Sequence, residues 1–164
     1  MSEGKSNDTP LSPQEMDETL FNIAMRRGAT YLSGRPYSRQ AYKYIYMVFP
    51  RIRRLDAEDK FPHDPEKFMR QFQHVDGRGF CQALRKVMLD DFGIMICDIL
   101  AHWHIKNTHD IGVIVMDLVA IKLFAADPVD DIHDFDEVYP IDSSLWCKPD
   151  LSHAEPLSPC PLLP

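Results

Sequence analysis

Cys97, Asp98, His102, His104, His109 and Asp110 fall within fourteen residues of one another, and these side chains can ligate zinc or another transition metal. The spacing opposes that chemistry. His102 and His104 are two apart and point to different sides of a helix, while Cys97 sits in an apolar stretch and reads as core. A second set, Asp130, Asp131, His133, Asp134 and Asp136, could hold calcium or magnesium, but no glycine supplies the turn of an EF-hand loop, so a solvated acidic strip is expected. His74-Val75-Asp76-Gly77-Arg78-Gly79 puts two glycines at a helix start, where free amides could hold an anion. It lacks the preceding strand and the Lys-Ser/Thr of a phosphate loop. With no G-x-S-x-G, H-E-x-x-H or dinucleotide fingerprint, no catalytic residue, metal or cofactor is nominated.

The charge layout is more informative than the net charge of −7. Residues 26–54 carry eight Lys or Arg (Arg26, Arg27, Arg35, Arg39, Lys43, Arg51, Arg53, Arg54) and no acid, leaving −15 on the remainder. The same segment holds five of the six tyrosines, Tyr31, Tyr37, Tyr42, Tyr44 and Tyr46. Cations beside flat rings suit phosphates and stacked bases, but they equally suit a solvated face that pairs with acids of the same chain. Residues 127–137 hold six acids and no Lys or Arg, interleaved with Val129, Ile132 and Phe135. Such a segment can dock on the domain, and pairing with the basic surface would mask that surface until a partner displaces it.

The elements that position these residues are helical. In Leu11-Ser12-Pro13-Gln14-Glu15-Met16, Ser12 and Glu15 form a capping box with Pro at the first helical position. This predicts a helix over 13–27 that buries Met16, Leu20, Ile23 and Ala24 and stops at Gly28. A second helix starts near Ser38, places Ala41, Tyr44, Ile45, Val48 and Phe49 on one stripe with Tyr42 and Tyr46 off it, and ends at Pro50. A short helix follows Asp64, with Phe68 and Phe72 four apart. Asp76 caps a stripe of Phe80, Leu84, Val87 and Met88, continuing through Phe92, Met95, Ile99 and Trp103, with Gly93 as a kink or a break. Thr108 and Asp110 start a last helix that buries Ile111, Ile114, Val115 and Leu118. Its apolarity, with Lys122 as its one basic residue, makes it core rather than the reading helix of a helix-turn-helix.

No segment alternates cleanly as a strand does, so the fold class is all-α, a compact bundle of about four to six helices. The expected organisation is a disordered N-terminus over 1–11, a helical domain over 12–139, and a disordered tail over 140–164, which holds six of the 13 prolines. The two most apolar stretches, 92–105 and 111–126, are broken by Asp98 and by Asp117 and Lys122, short of the ~20 apolar residues a membrane span needs. The polar start MSEGKSNDTP carries no secretory signal, so a cytoplasmic location is expected. In that reducing setting Cys81, Cys97, Cys147 and Cys160, which form no C-x-x-C pair, are read as unpaired thiols.

The chain resembles a family of short uncharacterised bacterial proteins known chiefly from planctomycetes and verrucomicrobia. The resemblance covers roughly residues 15–139 and rests on Ser38-Arg39-Gln40-Ala41-Tyr42, His74-Val75-Asp76-Gly77, Asp91-Phe92-Gly93, His102-Trp103, Thr108-His109-Asp110-Ile111-Gly112 and the ending Asp134-Phe135-Asp136-Glu137. It implies a compact bacterial cytoplasmic protein and transfers no activity. His104 stands where that family usually has Gly, and His109 where it usually has an acid, which weighs against a shared histidine metal site.

Together these readings point to a non-enzymatic helical module whose partner is another protein. Arg35, Arg39, Tyr42, Arg51, Arg53 and Arg54 form one expected recognition surface, and Asp134, Phe135, Asp136 and Glu137 the other. The alternatives are an RNA- or DNA-binding regulator using residues 26–54, and a metal-dependent enzyme built on His102, His104 and His109.

Overall fold

The computed structural model describes residues 12–64, 66, 75–125 and 131–142, and among these every regular element is helical. In chain order they are α1 (Pro13–Arg27), α2 (Ala29–Leu32), α3 (Arg39–Lys60), α4 (Gly77–Phe92), a 3-10 turn (Gly93–Met95), α5 (Ile96–His102), α6 (Thr108–Ala120) and a second 3-10 turn (Ile132–Phe135). The expected helix around Phe68 and Phe72 and the segments 1–11 and 143–164 lie outside the described residues. One apolar core joins Phe21 of α1, Ile45 and Ile52 of α3, Leu84 of α4, Leu100 of α5 and Ile114 of α6.

The start of α1 follows its local chemistry. The Glu15 amide donates to the Ser12 hydroxyl, and the Ser12 amide donates back to the Glu15 carboxylate at 2.8 Å. That amide holds the Glu15 carboxyl below its ordinary range. The buried face differs from expectation. Phe21 and Met25 are enclosed, whereas Met16, Leu20 and Ile23 are 52%, 53% and 43% exposed. Two apolar series share this helix, and the one carrying the phenylalanine packs inward, with the Phe21 ring 5.7 Å from that of Tyr46. Gly28 has an ordinary φ of −84°, and its role is contact rather than a left-handed stop. A Cβ there would lie 2.3 Å from Cγ2 of Ile121, so the end of α1 approaches the end of α6 through a missing side chain.

Helix α3 does not stop at Pro50 but continues to Lys60. Proline inside a helix forfeits one backbone bond and costs about 3 kcal/mol or more. Beyond it Ile52 and Ala57 are fully enclosed, and burying such side chains offsets that cost. Tyr42, expected off the stripe, is 2% exposed because its hydroxyl is held by a carboxylate inside the bundle.

Asp76 caps α4 by accepting from the Gly79 amide at 2.8 Å, and Gly93, at φ +50°, ends it. The break resets the helical phase, so Ile94 and Met95 point outward while Ile96 and Leu100 carry the core onward. The cap of α6 is Asn107, one residue before the expected Thr108. Its side chain accepts from the Asp110 amide at 3.0 Å, and the Asp110 carboxylate accepts from the Asn107 amide at 3.2 Å. Asn and Thr both cap well, and here the adjacent Asn107 takes the position.

Cys81 is enclosed and its thiol is free, with burial pushing its pKa up to about 12. Cys97 is disulfide-bonded, a departure from the expectation of unpaired thiols. In the turn between α5 and α6, His104 holds φ +61°, a left-handed conformation that costs a side-chain-bearing residue roughly 1–2 kcal/mol. His104→Gly should therefore raise the free energy of unfolding by about 1 kcal/mol or less, since the freer unfolded chain takes back part of the gain. Urea titration of the two proteins checks this, and an unchanged or lowered midpoint would contradict it.

Candidate interaction surface

The basic segment meets acids from four helices. Arg35 donates to Oδ1 of Asp117 at 2.9 Å, and the Tyr42 hydroxyl donates to Oδ2 of the same fully buried carboxylate at 2.8 Å. Beside them Tyr37 donates to Asp110 at 2.8 Å. Arg39 donates to Asn22 at 2.7 Å and lies 5.3 Å over the Phe21 ring, while Lys43 pairs with Glu18. Arg51 and Tyr44 share Asp91, each at 2.8 Å. Burial pushes Asp91 the other way, but the bonds from Arg51 and Tyr44 outweigh it and hold the carboxyl below its ordinary range. Arg54 pairs with Glu58 at 2.8 Å, and Arg53 is half-buried and also engaged. Arg39 is held by an amide and a ring rather than by an acid, and of the eight cations Arg26 and Arg27 alone have no internal partner of any of these kinds among the described residues.

The described part of the acidic-aromatic segment, residues 131–137, packs on α4 and α6 rather than on the basic surface. Phe135 drops into a notch made by two glycines. A Cβ on Gly77 would lie 2.8 Å from its ring, and one on Gly112 2.8 Å from its Cβ and Cγ. The Val138 amide donates to the buried Thr108 hydroxyl at 3.2 Å, and the Tyr139 hydroxyl donates to the Cys81 carbonyl at 3.0 Å. Asp134 and Glu137 are exposed. Asp136 lies between two imidazoles, 2.6 Å from Nδ1 of His109 and 2.9 Å from Nδ1 of His133.

These contacts set a pH dependence. The bonds from His133 and His109 lower the Asp136 pKa from 3.8, and the bond to Asp136 raises the His133 pKa from 6.5. The lowered carboxylate contributes stability above its unfolded value, lost as pH falls through its folded value. The raised imidazole contributes below its unfolded value, and that part is lost as pH rises through its folded value. The Asp136 contribution is therefore complete between pH 3.8 and 6.5. The difference in thermal midpoint between wild type and Asp136→Asn should be greatest in that interval and shrink on both sides. A difference that does not vary with pH would exclude the imidazoles from the contact.

The remaining chemical candidates are dispersed or occupied. His102 and His104 are exposed, and His109 turns to Asp136. Among the described residues no group of three or more His, Cys, Asp or Glu is arranged to hold a metal ion. At the glycine-containing start of α4 the Gly79 amide is taken by Asp76, whose own charge disfavours an anion there. Lys60 braces the same cap, reaching Asp76 at 2.6 Å and Asp56 at 3.0 Å.

What stays open is the outer side of α1. With ~3.6 residues per turn, Met16, Leu20, Ile23 and Arg27 fall on the side facing away from Phe21 and Met25. An open groove continues this side, with Leu20, Ile23 and Tyr31 on one wall and Ile121 and Leu123 on the other. This is the stripe whose spacing predicts core, and it faces solvent instead. The signal against that was the second series, Phe21 and Met25, on the opposite side of the same helix. The buried Asp117 was likewise read as an interruption, although a lone carboxylate in an apolar helix of an all-α chain requires a cation or hydroxyl from elsewhere.

No helix among the described residues is long and apolar enough to cross a membrane. No family model matches the chain, and neither a curated protein nor a solved structure does.

Proposed function

We propose that the protein is a non-enzymatic interaction module that binds another protein through the outer side of α1 and the groove beside it. The observation that carries this reading is a helix apolar on two opposite sides, one enclosed by the core and the other left in water. Met16, Leu20 and Ile23 are 52%, 53% and 43% exposed on one side of α1, and Tyr31, 53% exposed, lines the groove beside Leu20 and Ile23. A contiguous apolar patch of this kind marks contact with a protein or other apolar surface. The nucleic-acid reading draws less support. Six of the eight cations in residues 26–54 already have internal partners, Tyr42 is buried, and Tyr44 is half-buried against Phe92 and Trp103.

Affinity capture from lysate of the native cell, with and without nuclease and at two salt concentrations, tests the proposal when wild type is compared with Leu20→Lys/Ile23→Lys. Both positions are exposed, so the variant keeps its thermal midpoint. The expected result is a nuclease-resistant protein retained by wild type and lost by the variant. Nuclease-sensitive, salt-sensitive capture that persists in the variant would instead support the RNA- or DNA-binding regulator.

A further inference from the structure

We infer that the occupant of the outer side of α1 is a second copy of this chain, the two helices packing antiparallel about a two-fold axis between Leu20 and Ile23. This rests on the proposed interaction role and names its partner. Charge is the argument. The N-terminal half of α1 carries Glu15, Asp17 and Glu18, and its last turn carries Arg26 and Arg27. Glu18 is engaged by Lys43, but Asp17, Arg26 and Arg27 hold no internal ion pair among the described residues and are exposed at opposite ends of the apolar line. An antiparallel copy sets Leu20 against Ile23 and brings Arg27, which lies on the apolar line, to the level of the other helix's free Asp17, twice by symmetry. A parallel copy would align acid with acid and arginine with arginine. Self-complementarity of this kind is what a two-fold interface requires.

Size sets the strength. A 15-residue helix is about 22 Å long, and a helix pair of that length lies at the small end of specific interfaces, which bury roughly 1,200–2,000 Å². Tyr31 and the groove walls Ile121 and Leu123 extend the contact, and the association is a concentration-dependent monomer–dimer equilibrium.

Sedimentation equilibrium of the full chain across a wide concentration range tests this. The mass should rise from 19.0 kDa toward twice that value. Leu20→Lys should hold it at the monomer value. The charge variants read the orientation. Asp17→Lys alone, or Arg26→Glu/Arg27→Glu alone, should return the chain to monomer, and combining all three substitutions should restore the dimer. Circular dichroism checks that each variant is folded, and Leu20→Lys remains decisive should a charge variant lose helix. A mass of 19.0 kDa at every concentration, or a dimer indifferent to these substitutions, overturns the inference. A monomer whose Leu20→Lys/Ile23→Lys variant still loses a different captured protein would sink the homotypic pairing alone and leave the interaction module standing.

Discussion

Replacing Arg35 with Leu should cost about 2–3 kcal/mol of stability. Removing one member of a buried ion pair costs about 3–5 kcal/mol; Arg35 is 39% exposed, and screening by water reduces its share. What remains after the substitution is the difficulty. The Asp117 carboxylate has no exposed surface and would keep only the Tyr42 hydroxyl as a partner. The double variant Arg35→Leu/Asp117→Leu should be less destabilised than the two single losses sum to, because the unpaired charge is removed together with its partner. Urea titration of the four proteins measures this. Additive losses would mean that Arg35 and Asp117 are not energetically coupled. The same experiment bears on function, since it separates an arginine that holds the fold from one that greets a partner.

Phe135→Ala is expected to cost about 3–5 kcal/mol, the usual range for truncating an enclosed phenylalanine, and to release residues 131–142 from α4 and α6. The ring is 5% exposed, lies 6.0 Å from Phe80, and fills a notch that exists because positions 77 and 112 carry no side chain. Gly77→Ala should also loosen the segment, since the added methyl would lie 2.8 Å from the ring. Its penalty should shrink in the Phe135→Ala background, though not to zero, because Cβ of Asp134 lies at the same distance. Limited proteolysis reads the release directly. Cleavage within 131–142 should be slow in wild type and fast in both variants, and equal rates would show that the phenylalanine does not hold the segment.

The sequence reading named Arg35, Arg39, Tyr42, Arg51, Arg53 and Arg54 for their clustered charge and aromaticity. Clustering along the chain says nothing about which acids lie across from them. Asp117 is 82 residues from Arg35, and Asp91 is 40 from Arg51. Such pairs become visible only when the helices are packed. Phe135 was legible as an apolar residue in an acidic segment that could dock, but its destination was not, because the two glycines that receive it are distant in sequence and Gly77 already had a local explanation at its helix start.

Local chemistry in the sequence was sufficient for the helices themselves. The Ser12–Glu15 capping box and the Ser38 and Asp76 caps each depend on backbone groups within a few residues, so local sequence is enough to specify them. Tertiary structure alone decided which side of each helix is enclosed and whether a local stop is obeyed. Periodicity on α1 offers two apolar sides, and it is the packed bundle, with Tyr46 and Arg39 against the Phe21 ring, that encloses Phe21 and leaves Met16, Leu20 and Ile23 in water. Proline at position 50 is a stop sign to the local backbone. It is overridden because Ile52 and Ala57 bury more apolar surface in the bundle than one lost hydrogen bond is worth.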